Sequence, residues 1–257
     1  METPGVSPWD MAGIVFACTF GGALVGMALR RAVPNHHLGS DSEAIVRLAM
    51  GLIATMAALV LGLLTASAKT TFDTQDGDVR QSAADILMLD RVLAQYGPET
   101  APIRNGIHDA LARRVDTTWP DDGLRTGTLD TSAPPPALEQ LDQQIRRLTP
   151  TDDFQRGLQA RALQLSGDIQ HTRWMLFGSA PTLQLPMLVV LVSWITIIFL
   201  SFGLYSPHNV TVACFLALAA LSVAGSVFLI LEMGRPFEGL IRISSAPMRY
   251  ALSNIDH

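Results

Sequence analysis

Long apolar runs near the two ends of the chain dominate its hydrophobic pattern. Four runs are long enough for an α-helix to cross about 30 Å of hydrocarbon, which takes roughly 20 residues at 1.5 Å each. They cover residues 9–29, 44–66, 183–204 and 210–231. None alternates between apolar and polar positions, and in lipid such a segment satisfies its own backbone only as a helix. The pattern predicts an all-α integral membrane protein with four transmembrane helices.

Short connectors join these spans in pairs. Because residues 30–43 and 205–209 leave little room for anything but a turn, we expect two transmembrane hairpins, at 1–67 and 183–232. Between them lies a more polar segment, 68–182, and residues 233–257 follow as a C-terminal elbow and amphipathic tail.

The central segment shows helical periodicity with clear stops. The second span continues without proline and with one glycine, so it predicts a single helix of about 50 residues that ends at Gly97-Pro98. Further helices are expected from Pro102 to Trp119, around residues 138–148, and from Phe154 to Gly178. The stretch between the first and second of these, with its triple proline, predicts an irregular surface loop.

Small residues recur at four-residue intervals in the first two spans. They are Cys18, Gly22 and Gly26 in the first, and Ala54, Ala58, Gly62 and Ala66 in the second. Small faces let helix backbones approach closely in lipid, so tight packing is expected, with a pore wall or a hinge as the alternative.

Composition and charge narrow the functional classes. Charged residues make up only 16% of the chain and the net charge is −5, which offers no basic surface for nucleic acid. Both cysteines lie inside apolar runs and are expected to be buried, inert thiols.

No catalytic or metal-binding pattern stands out. The sequence has no nucleophile elbow, no phosphate-binding glycine loop and no Cys-x-x-Cys, so neither an enzyme nor a cofactor is expected. His36 and His37, followed by Asp41 and Glu43, lack further ligands at a recognisable spacing, and we predict no metal site there.

Two groups of charged residues flank the spans. Glu43 and Arg47 have the spacing of a helical ion pair, with a charged ring at a pore mouth as the alternative. After the fourth span, Glu232, Arg235, Pro236 and Phe237 predict a structural elbow. In the tail beyond it, 240–252, Arg242 and Arg249 are available to phospholipid or a neighbouring subunit.

Lysine and arginine near the span ends predict the orientation. The side shared by both termini and the central segment has more of them, which favours a cytoplasmic location for all three in the inner membrane. That side carries Lys69, Arg80, Arg173, Arg235, Arg242 and Arg249, and the opposite side carries Arg30, Arg31 and Arg47.

Four segments carry a family resemblance: DSEAIVRL at 41–48, the helix 52–75, DRVLAQYGPE at 90–99 and RPFEG at 235–239. Together they resemble a bacterial family of membrane proteins described as bestrophin-like. Similarity to bestrophins implies a homopentameric ion channel whose second transmembrane helix lines the pore. The run RPFEG is similar to the bestrophin Asn-Pro-Phe-Gly turn, but the acidic calcium clasp that follows that turn is absent, so no calcium gate of that type is expected.

The resemblance also directs attention to the wall of the second span. Residues 44–67 contain no aromatic side chain, so the candidates for pore lining are Thr55, Met56, Leu59 and Leu63. A ring of leucine or methionine can gate by dewetting. The permeant ion stays open, since the central segment holds 12 basic and 16 acidic residues.

Two functions are therefore carried forward. The first is a bestrophin-like oligomeric channel, with membrane lipid and further copies of the chain as its partners. The alternative is a non-conducting membrane scaffold or signalling protein, in which the long second helix carries a conformational signal. A secondary transporter is less favoured, because no ionisable residue lies at mid-membrane.

Overall fold

The computed structural model describes residues 7–32, 40–120, 136–178, 185–206, 209–237 and 239–255. Within these ranges the regular structure is helical, with no strand. The eight α-helices are α1 Pro8–Leu29, α2 Ser40–Tyr96, α3 Ala101–Thr118, α4 Pro136–Arg146, α5 Asp153–Gly178, α6 Leu185–Tyr205, α7 Val210–Met233 and α8 Ala246–Asn254. Four of them, α1, α2, α6 and α7, are long and apolar enough to cross a membrane. The expected all-α membrane class is confirmed.

The chain forms two compact units, each made from two separate stretches. The membrane unit contains Met1–Thr70 and Thr182–Gly234, and the second unit contains Thr71–Pro181 and Arg235–His257. The C-terminal tail therefore belongs with the central segment. Helix α2 contributes residues to both units.

In the membrane unit, α1 packs against α6 and α7. The crossing of α1 and α6 is closest at two glycines. A Cβ added to Gly26 would lie 2.1 Å from the carbonyl oxygen of Leu200, and one added to Gly203 would lie 2.0 Å from that of Ala23. No side chain fits there, so the small-residue spacing of α1 corresponds to tight packing. Cys18 and Cys214 are both exposed, which corrects the expectation of buried thiols.

A guanidinium joins the C-terminal ends of this helix pair. Arg30, just after α1, donates a hydrogen bond to the carbonyl oxygen of Ser206, just after α6. Carbonyl groups at a helix C-terminus lack partners within the helix, so an arginine there satisfies one of them. Arg30 is thus used to join two helix ends.

The second unit has a core of its own, to which the distal part of α2, together with α3, α4, α5 and α8, contributes. Its members recur every third or fourth residue, as in any helix that buries one face. The buried residues are Val79, Ala83, Ile86, Leu89, Leu93, Ile103, Ile107, Leu111, Val115, Leu141, Ile145, Ala162, Leu165, Ile169, Phe237, Ile243, Met248, Ala251 and Ile255. The apolar faces of α3 and α5 are the faces that pack.

Side chains and turns fix the helix ends of this unit. Gly97 has a φ of +143° and ends α2, and the Thr100 hydroxyl donates to the carbonyl oxygen of Leu93 at 2.6 Å. At the start of α5 the backbone N–H of Gln155 donates to Oδ1 of Asp152 at 2.7 Å. Asp152 is therefore the N-cap of α5.

Helix α8 packs on the core of the second unit. Met248, Ala251 and Ile255 are each 2% exposed or less. The apolar side of the predicted amphipathic tail therefore faces protein. Two expectations lie outside the described residues: the histidine pair at 36 and 37, and the proline-rich loop.

Candidate functional site

The candidate site is the membrane part of α2, which is the least covered of the four spans. In its most apolar stretch 6% of residues are buried, against 28–39% in α1, α6 and α7. One face touches the rest of the unit: Ala57 is buried there, and Val60, Leu61 and Leu64 pack beside it on a cluster that includes Leu191. The opposite side of α2 has no cover from the described residues of its own chain.

The four pore-lining candidates all lie on this open side. Met56 is 49% exposed, Leu59 75% and Leu63 57%, and Thr55 is exposed as well. At about 100° per residue, the four positions fall within an arc of about 100°. The structure thus places them together on one uncovered helix face.

The hydroxyl proton of Thr55, on this face, is already used in a hydrogen bond. Thr55 Oγ1 donates to the carbonyl oxygen of Leu52 at 2.7 Å, a bond within the helix. The Thr55 hydroxyl then has only its acceptor lone pairs available to a passing ion or water. The face is otherwise built from the apolar side chains of Met56, Leu59 and Leu63.

The small residues of α2 are exposed too. Ala54, Ala58 and Ala66 are exposed, and a Cβ added to Gly62 would meet nothing within 4 Å. The spacing predicted tight packing for both helices, and within the chain only α1 shows it. The small residues of α2 are available to lipid or to another protein chain.

The two pore-mouth candidates form the helical ion pair that their spacing predicted. Nη2 of Arg47 contacts Oε1 of Glu43, one turn earlier on α2. The Arg47 side chain is 74% exposed and that of Glu43 28%. An exposed pair of this type contributes less than about 1 kcal/mol to stability, so it does little to hold the fold together.

The elbow residues divide between the two units. Glu232, at the end of α7, is 2% exposed, whereas Arg235, Pro236 and Phe237 belong to the second unit. Phe237 is buried in that unit, with its ring centroid 5.8 Å from that of Trp119 in an edge-on arrangement. The elbow thus includes an anchor inside the second unit.

Sequence reasoning missed the residue that holds this anchor. Nε1 of Trp119 donates to the carbonyl oxygen of Ile243 at 2.8 Å, so one indole contacts the chain on both sides of the turn after α7. The sequence showed Trp119 only as the end of a helix before proline. A long-range contact between residues 119 and 237 leaves no trace in local spacing.

No group of three or more histidine, cysteine or acidic side chains is arranged to hold a metal ion within the described ranges.

A family model described as Bestrophin-like domain matches residues 17–248 of the chain. No curated protein and no solved structure matches it.

Proposed function

Because the chain belongs to the bestrophin-like family, we propose that it forms an ion channel in which α2 of each subunit lines a central pore. The channel is a homo-oligomer, pentameric if it follows the bestrophins. It needs no cofactor, and its partners are membrane lipid and further copies of the chain.

The observation that carries the proposal is the uncovered face of α2. Helix α1 packs on α6 and α7, and α2 meets this group through the face around Ala57. The opposite side presents Thr55, Met56, Leu59 and Leu63 together. In a ring of subunits, the side of α2 that points away from its own bundle is the side that faces the axis.

The chemistry of this face favours a hydrophobic gate. Between Leu48 and Ala68 the sequence has no charged residue, so the wall offers an ion no charged ligand. A ring of Leu59 and Leu63 side chains expels water from a narrow pore and closes it without a plug. Arg47, the residue directly before Leu48, places positive charge at one mouth.

We further propose that the protein resides in the inner membrane with its termini and second unit in the cytoplasm. The support is the lysine and arginine count at the span ends. The bond from Arg30 to Ser206 agrees with it, since that arginine, on the side poorer in such residues, joins two helix ends.

Ion flux from liposomes that contain the purified full-length chain tests the channel. A polar side chain in the gate should wet the pore, so Leu59→Asn should raise flux roughly tenfold, the effect of lowering a barrier by about 1.4 kcal/mol. Leu218→Asn on α7 is the matched control, because Leu218 is 60% exposed in another span. It should leave flux unchanged.

Electron microscopy of the same preparation determines the subunit arrangement. A closed ring with α2 around a water-accessible axis is the expected result. A stable oligomer that passes no ions under any gradient, with lipid filling its axis, would refute the channel and favour a scaffold or signalling role.

A further inference from the structure

A short loop after α7 has a fixed base. The backbone N–H of Ile243 donates to the carbonyl oxygen of Pro236 at 2.8 Å and closes the loop. Phe237 and Ile243 are 5% and 2% exposed, and the indole of Trp119 contacts both. The ends of the loop are therefore held firmly in the second unit.

The tip of this loop, residues 239–242, is exposed. Gly239 has a φ of +91°, a turn conformation that other residues adopt with strain. Leu240 follows it and is 71% exposed, the most exposed large apolar side chain among the described residues of the second unit. A fixed base with an exposed leucine at its tip is costly in water.

Arg242 extends the tip with positive charge. Its Nε donates to the carbonyl oxygen of Gly239 at 2.6 Å, which holds the guanidinium beside Leu240. Arg242 makes no other hydrogen bond or ion pair with a described residue. Across residues 235–255 three arginines stand against one glutamate, although the whole chain carries a net charge of −5.

The position of the tip in the chain limits what can cover it. Helix α7 spans the membrane and ends at Met233. Leu240 comes seven residues later, so an extended chain allows it at most about 24 Å from that helix end. The headgroup layer begins where the hydrocarbon ends and extends about 5–8 Å beyond it. The chain length therefore permits the loop tip to reach the headgroup layer next to the end of α7.

We propose that residues 239–242 contact the phospholipid surface, with Leu240 in the interfacial layer and the Arg242 guanidinium on a lipid phosphate. An apolar side chain next to a guanidinium matches both parts of the interface, the acyl boundary and the anionic headgroup. This contact is separate from conduction, and it holds whether or not the chain is a channel.

Spin labelling of the full-length protein in vesicles tests this contact. With both native cysteines replaced by serine, nitroxide labels are placed through Leu240→Cys and, as a control, Phe154→Cys. Phe154 is 65% exposed and adjoins Gln155, which bonds the carbonyl of Tyr96, about 45 Å of helix beyond Ala66. Collision with oxygen, which dissolves in lipid, is compared with collision with a water-soluble nickel chelate.

The expected result is that oxygen relaxes the Leu240 label more strongly and nickel relaxes the Phe154 label more strongly. Replacing part of the phosphatidylcholine by phosphatidylglycerol should increase the oxygen preference at Leu240. Arg242→Gln should abolish that increase, and unchanged thermal denaturation shows that the variant is folded.

Three results would overturn the proposal. Equal nickel accessibility of the two labels would show that the tip lies in water. Protection of the Leu240 label from both reagents would show that protein covers it, as in a subunit contact. An oxygen preference that responds neither to phosphatidylglycerol nor to Arg242→Gln would show that Arg242 does not bind the lipid phosphate.

Discussion

At the scale of single residues, glycine at the α1–α6 crossing determines how closely two membrane helices approach. Without a hydrophobic effect between helices in lipid, close contact of backbones supplies much of their attraction. The carbonyl oxygens about 2 Å from the Cβ positions of Gly26 and Gly203 show that this contact uses all of the available space. A methyl group at either position has to push the helices apart.

Gly26→Ala should therefore destabilise the protein by 1–3 kcal/mol or more, the usual cost of overpacking. Gly21→Ala, in the same helix, meets nothing within 4 Å and should be neutral or slightly stabilising. Thermal denaturation in detergent measures both. Equal melting temperatures for the two variants would contradict the close crossing.

Arg114, on α3 of the second unit, is a charged residue in an unfavourable position. Burial, and secondly the like charge of Arg173, lowers the pKa of Arg114 from its ordinary value to about 10. A lowered folded-state pKa means that folding disfavours the charged form. Below pH 10 the group is charged in both states, so the full penalty is present at neutral pH. It diminishes only as the pH rises from about 10 towards the ordinary pKa of arginine.

Arg114→Met should raise the melting temperature at pH 7, because methionine keeps the aliphatic packing and removes the charge. About 2–4 °C is expected, the shift that ~1 kcal/mol gives a chain of this size. Arg113→Met alters the exposed neighbour on the same helix and should change little. A lower melting temperature for Arg114→Met would show that the charge stabilises the fold.

At the scale of elements, α2 shows how well a long helix can be inferred. A helix of about 50 residues was predicted from the second span to Gly97, and the structure has 57 residues, from Ser40 to Tyr96. The prediction succeeds because helix breakers are local signals. Which side of α2 is covered could not be predicted, since a span that is apolar all round has no distinct buried face.

The docking of α8 depends on one buried ion pair. Nε and Nη2 of Arg104 donate to Oδ1 and Oδ2 of Asp90 at 2.7 and 3.0 Å, and Nη2 also donates to the carbonyl oxygen of Ile255 at 2.9 Å. The Asp90 side chain is 4% exposed. Removing one partner of such a pair leaves a buried charge without compensation.

Arg104→Ala should destabilise the second unit by roughly 3–5 kcal/mol and release the end of α8. Arg80→Ala, which breaks the exposed pair with Asp76 on α2, should cost less than about 1 kcal/mol. Hydrogen exchange of residues 246–255, together with thermal denaturation, distinguishes the two. A protected α8 in the Arg104→Ala protein would show that apolar packing alone holds it.

At the scale of the whole molecule, the sequence predicted the fold class well and the division of the chain into two units less well. Length and hydropathy give four spans directly. The tail could not be assigned to its unit, because the contacts of Phe237 with Trp119 and of Ile255 with Arg104 join residues more than 100 positions apart. Likewise, helix spacing gave the positions of Thr55 and Leu59, while their exposure depends on how α1, α6 and α7 pack.

Membrane orientation is the prediction that belongs to the entire chain. In a variant without native cysteines, Arg91→Cys should react with a membrane-impermeant maleimide only after cells are permeabilised, because the second unit is expected in the cytoplasm. Arg31→Cys, exposed after α1, should react in intact spheroplasts. The reverse pattern would invert the orientation.

The division of each unit between two stretches of chain has a consequence for biogenesis. Helix α1 leaves the ribosome first, yet its packing partners α6 and α7 are translated on the order of ten seconds later at ordinary elongation rates. The first two spans must therefore wait in the membrane with Gly22 and Gly26 uncovered. The second unit is completed later still, when residues 235–255 emerge. A nonsense codon shortly before Arg235 would thus leave an inserted but unfinished protein, a ready substrate for membrane proteases.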